Sequence, residues 1–158
     1  MPRAGAPRRS RSRTVASVLR AYDYALLRLV PDTPAGDAVT IGVVLQCRQA
    51  RFLGVRITRS PNEVARTHPQ LHAGLAARYV DAVQAVVAGG AEAAPIGLLP
   101  PSERFHWLTA VRSTVLQASA VHTGLTDAPE AALDRIARSL ADTAKPPGRG
   151  TPSAAAGV

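Results

Sequence analysis

A single cysteine, Cys47, excludes any disulfide within the chain. A lone thiol inside an apolar run usually packs as a small hydrophobe, so Cys47 is expected in the core, with a redox-sensing thiol as the alternative. Such sparing cysteine use suits a reducing compartment, and a cytoplasmic protein is expected. Long hydrophobic runs are missing too. Arg20, Asp23 and Arg28 break the longest apolar stretch, well short of the ~20 residues a membrane-spanning helix needs. Arg8-Arg9 has the form of a twin-arginine signal, but no uninterrupted apolar region or cleavage site follows.

Motifs that carry common chemistries are absent as well. There is no G-x-G-x-x-G and no G-x-x-x-x-G-K-[ST], which removes sequence support for dinucleotide and P-loop sites. C-x-x-C, H-E-x-x-H and H-x-E do not occur, and four scattered histidines make no zinc set, so neither a metal nor a cofactor is expected. G-x-S-x-G is missing. Glu63, Asp127 and Glu130 stand at helix-capping positions, and no two acids converge by spacing as a carboxylate-pair hydrolase requires. Two histidines each followed two residues later by Ser or Thr would mark a two-histidine phosphoesterase. Leu108 and Gly124 stand in those places instead.

What is present begins with charge. The formal net charge of +8 suggests nucleic acid until it is divided along the chain. Residues 1–14 hold Arg3, Arg8, Arg9, Arg11 and Arg13 and no acid, and the C-terminal stretch adds Lys145 and Arg149. Residues 15–142 are close to neutral, with 12 arginines against 11 acids. A domain built to grip a phosphate backbone would carry its own basic face. Residues 1–14 are therefore expected to be a disordered basic tail, 15–142 a single domain, and 143–158 a disordered Pro/Gly/Ala-rich tail.

Within the domain, Tyr22 to Val30 is apolar on both alternating faces and predicts a central strand stopped by Pro31. Val39 to Cys47 is dense in β-branched residues, and Gly42 inside it marks a bulge or a close backbone approach. After a short polar turn, Phe52 to Ile57 reads as a third strand, and loops this short impose antiparallel pairing. Ser60-Pro61-Asn62-Glu63 has the form of a capping box opening a helix. A longer helix is predicted from about Pro69 to Ala88, with Leu71, Leu75, Tyr79, Val83 and Val86 on one face and Gly89-Gly90 ending it. Ser102 to Ala110 reads as a short helical turn and Ser113 to Ala118 as a fourth strand. Asp127 with Glu130 forms a second capping box before a final helix carried by Leu133, Ile136, Ala137 and Leu140. The order β-β-β-α-β-α predicts an α+β fold: an antiparallel sheet of about four strands with helices packed on one face.

One stretch is rich in donors. Arg104, His106, Trp107, Arg112, Ser113, Thr114 and Gln117, then His122 and Thr123, are candidates for a cluster that meets an anionic ligand. His106 or His122 would bind the anion or shuttle a proton. Arg28, an interruption in an apolar strand, must pair or reach solvent, and pointing into this cluster is one way to do so. The structural alternative stands beside it: Phe105 and Trp107 as core anchors, His106 as a structural histidine, Arg104 with Glu103 as a solvated pair worth ~0–1 kcal/mol, and His122-Thr-Gly124 as a turn.

The set Tyr22-Asp-Tyr-Ala25, Ile41-Gly-Val-Val-Leu45, Phe52-Leu-Gly54, Pro95-Ile-Gly97, Glu103-Arg-Phe-His-Trp-Leu108, Arg112-Ser-Thr114, Gln117 and Val121-His-Thr-Gly124 resembles a bacterial family of unknown function, domain of unknown function number 3037. The resemblance spans about Tyr22 to Leu140, with one departure: Ile41 stands where members often carry Asn. It implies no catalytic residues. It does imply a partner, because members are often encoded beside a HipA-like serine/threonine kinase homologue. The expected function is a non-catalytic binding or regulatory partner of such a kinase, with an anion-binding donor cluster. The alternative is a phosphate-centred activity, either weak, salt-dependent nucleic-acid binding through the tails or phosphoester chemistry at His106 and His122.

Overall fold

The computed structural model describes residues 16–31, 34, 37–110 and 114–144. The expected disordered tails lie outside these residues, except that Thr143 and Ala144 continue the last helix. In chain order the elements are β1 (Arg20–Leu29), β2 (Val39–Cys47), β3 (Phe52–Ile57), α1 (Pro61–Thr67), α2 (Ala73–Ala88), α3 (Pro101–Thr109), β4 (Leu116–Ala118), β5 (His122–Thr126) and α4 (Pro129–Ala144), with two short 3-10 turns between α2 and α3.

The sheet is antiparallel, in the order β3-β2-β1-β4, with β5 also pairing β1. β4 and β5 lie end to end along the same side of β1: Leu116 to Ala118 face Leu29 to Leu27, and His122 to Thr126 face Tyr24 to Arg20. Ser119 bridges the break. Its N–H donates to Leu26 O (2.8 Å) and its hydroxyl accepts from Leu26 N–H (2.9 Å), so the central strand stays hydrogen-bonded where the ladder is interrupted. The sheet thus has the four expected strands and a fifth, β5, where a turn was expected.

β2 carries a bulge. Leu27 faces Gly42 and Arg28 faces Thr40, leaving Ile41 as the extra residue. Beside the bulge, a Cβ on Gly42 would stand 2.4 Å from Arg56 O, so the sequence signal of a glycine inside a strand marked both a bulge and a close approach.

Both faces of the sheet are apolar, and both are covered. Ala25, Leu27, Leu29, Ile41 and Val44 pack with Val64 of α1, Ala76, Val80 and Val86 of α2, and Phe105 and Leu108 of α3. Tyr22, Val43, Leu45 and the fully buried Cys47 pack with Ala132, Leu133 and Ala137 of α4. The α+β class and antiparallel sheet agree with expectation; the placement of all helices on one face does not. Strands that are hydrophobic at successive positions expose two apolar surfaces, and the second would stay in water unless α4 crossed to it.

α4 is held there by charge as well as packing. Arg56 leaves β3 on that face and meets Asp134 (Nε to Oδ1, 2.8 Å) and Glu130 (3.4 Å). Glu130 is therefore engaged by Arg56 rather than by the expected capping box with Asp127. The Thr126 hydroxyl instead accepts from Ala128 N–H at 3.1 Å as the chain enters the helix. The box at α1 forms as expected: Ser60 Oγ accepts from Glu63 N–H and Glu63 Oε2 accepts from Ser60 N–H.

Candidate functional site

Arg104 projects from α3 towards the end of α2. Its Nη1 donates to Val86 O (2.8 Å) and Val87 O (2.7 Å), and its Nε to Leu99 O (3.0 Å). The last carbonyls of a helix have no partner within it, and a guanidinium satisfies them while opposing the negative end of the helix dipole. Gly89, at φ 75°, ends α2 in the left-handed region, and a Cβ there would stand 2.6 Å from Arg104 Nη1. Arg104 is thus a helix cap rather than a solvated partner of Glu103.

His106, one residue before Trp107, is exposed on the outer side of α3. Its Nδ1 lies 2.8 Å from Ser102 O and so carries the proton, while Nε2 faces Arg48 Nη2 at 3.4 Å. His122 is placed differently. It faces Tyr24 across the β1–β5 ladder and stacks on that ring, with centroids 5.2 Å apart. Tyr24 belongs to the α4 face of the sheet and α3 covers the other, so His106 and His122 stand on opposite sides. A shared phosphoester centre has no geometric basis.

Thr123, the next residue in β5, points to the α3 side. Its hydroxyl donates to Asp23 Oδ1 (2.8 Å), and the other carboxylate oxygen accepts from Gln46 Nε2 (3.2 Å), a polar row across three strands. Arg28 leaves β1 on the α4 face, opposite Gln117 in the register. Arg112 and Ser113 lie outside the described residues. Among the described candidates, the expected single donor cluster is dispersed.

Three of the ten candidates do come together. Trp107, Thr114 and Gln117 border a cavity of about 180 Å³ between α2, α3 and β4, walled also by Tyr79 and Val83 of α2, Leu108 of α3 and Leu116 of β4. Among the described residues, none lining it is charged. The Thr114 hydroxyl donates to Leu116 O and Gln117 Nε2 donates to Thr114 O (3.1 Å), so both polar side chains are tied to the main chain.

The lip of this cavity was hidden by the sequence pattern. Leu75 and Tyr79 fall at helical spacing with Leu71, Val83 and Val86 and were expected in the core. In the structure α2 buries Ala76, Val80 and Val86, leaving Leu75 40% and Tyr79 37% exposed. The apolar arc of α2 is wider than the sheet covers, and Tyr79, part of that surplus, borders the cavity. An amphipathic arc that exceeds its buried share is the signal that would have found it.

No curated protein and no solved structure matches the chain. One family model does, over residues 24–141, and the chain belongs to that family, the proteins of unknown function DUF3037.

Proposed function

We propose that the chain is a non-catalytic binding domain whose partner is a HipA-like serine/threonine kinase, and that the kinase places one large apolar side chain in the cavity beneath Trp107. The family resemblance suggests the kinase. The observation that carries the docking site is a cavity with no charge among its described lining residues, bordered by the half-exposed Tyr79 of α2. Its volume is comparable to the ~150 Å³ cavities that admit a benzene-sized group, so one aromatic or branched side chain fits. Burying such a side chain contributes about 1.5–3 kcal/mol, the scale of an interface anchor.

The binding reading is also favoured by what the donor side chains do. Arg104 serves α2, Thr123 serves Asp23, and His106 holds Ser102 O. Each is engaged in holding the fold, which leaves shape and apolar surface as the recognition features on this side of the sheet.

Co-expression with a HipA-like kinase from the same genome, followed by size exclusion at micromolar concentration, tests the partnership. A single co-eluting peak is expected. Two separate peaks would contradict the reading.

A further inference from the structure

Arg28 stands in the central strand between Leu27 and Leu29, both buried. Its side chain leaves the sheet on the α4 face, as those of Tyr24 and Leu26 do. The Nε atom is buried and has no hydrogen-bond partner. The two ion pairs among the described residues both belong to Arg56. A buried N–H of a cation with no acceptor is costly, and such a group calls for a missing partner. The register places Thr40 of β2 and Gln117 of β4 on either side of Arg28, so its cross-strand neighbours supply a hydroxyl and an amide and no carboxylate.

Next to this position, a groove runs between α4 and β1. It is lined by Tyr24, Leu26, Arg135, Ile136, Ser139 and Leu140, with a volume of about 380 Å³. Leu26 and Arg28 are two residues apart on one face, about 7 Å along the strand. The groove therefore has an apolar floor, a cation on its helical wall and, beyond one end, an arginine with one buried and unpartnered N–H. Asp134 is engaged by Arg56, and among the described residues no acid lines the groove.

We propose that this groove binds an amphiphilic anion, with a short apolar body over Tyr24 and Leu26 and one oxyanion, a carboxylate or a phosphate monoester, held by Arg28 with Arg135 at the lip. A planar guanidinium matches both oxyanions, and a charge-assisted bond made away from water is stronger than one at the surface. The site lies on the opposite face of the sheet from the cavity beneath Trp107 and stands independently of the kinase.

Calorimetric titration of the full chain with hexanoate, hexyl phosphate and hexanol tests the proposal. At least one anion binds more tightly than hexanol, and the tighter of the two identifies the head group. Arg28→Met weakens that anion by about tenfold and leaves hexanol unchanged. The proposal is overturned if neither anion exceeds hexanol, or if folded Arg28→Met binds the anion as the parent does. Should Arg28→Met fail to fold, Arg135→Gln decides at an exposed position. Several-fold weaker anion binding supports the site, and unchanged binding overturns it.

Discussion

Arg104 gives three hydrogen bonds to main-chain carbonyls at the end of α2 and just before α3. Its donor chemistry was legible in the sequence, but its acceptors were not, because they lie 5, 17 and 18 residues away. Arg104→Ala is expected to cost about 1.5–3 kcal/mol, the range for hydrogen bonds from a charged group. Urea unfolding measures it, and a loss below about 0.5 kcal/mol would return Arg104 to the surface pairs. Glu63 makes a pH-dependent prediction. Its bond from the Ser60 backbone N–H, assisted by the Ser60 side chain, holds the carboxyl below its ordinary value of 4.5. A carboxyl with a folded pKa below its unfolded one contributes stability above the unfolded value, and loses it as pH falls through the folded value. Glu63→Ala should therefore destabilise the chain at neutral pH and lose that effect in acid below the folded pKa. Equal destabilisation at both ends of the range would contradict the capping role.

Among the elements, β2 and β3 could be read directly, since β-branched density and a polar four-residue turn leave few alternatives. β5 could not. His122-Thr-Gly-Leu-Thr126 has the composition of a turn, and it is a strand only because the first half of β1 offers it a ladder. The link between the two halves of this edge rests on Ser119. Ser119→Ala leaves Leu26 N–H, in the central strand, without its acceptor, and should cost about 1–2 kcal/mol by thermal or urea unfolding. A neutral substitution would mean that the break between β4 and β5 does not need the hydroxyl. The donor cluster dissolved for an elementary reason. Neighbouring residues of a strand point to opposite faces, so His122 and Thr123 cannot share a site facing one side of the sheet. On α2, apolar residues occur at more positions than one face can bury, and spacing alone does not choose between Leu75/Tyr79 and Ala76/Val80.

At the scale of the molecule, the sheet has a differently equipped surface on each side. Beneath α2 and α3 lies a cavity with no charge among its described lining residues, and between α4 and β1 a groove lined in part by Arg135. The two-sided cover was foreshadowed by β1, whose apolar residues alternate onto both faces. The order of strands and helices along the chain does not say which face each helix covers. The formal charge of +8 sits largely in residues outside the described fold, so neither surface follows from the overall pI. In the proposed function, α2 presents its surplus apolar arc to a partner. The most direct measurement is the affinity of a HipA-like kinase for the parent chain, for Tyr79→Glu at the lip, and for Leu98→Glu, a more exposed apolar position away from the cavity lining. At least about a tenfold loss is expected for Tyr79→Glu, the ~1.4 kcal/mol of one interface anchor, with little change for Leu98→Glu. Equal affinity for all three chains would contradict it.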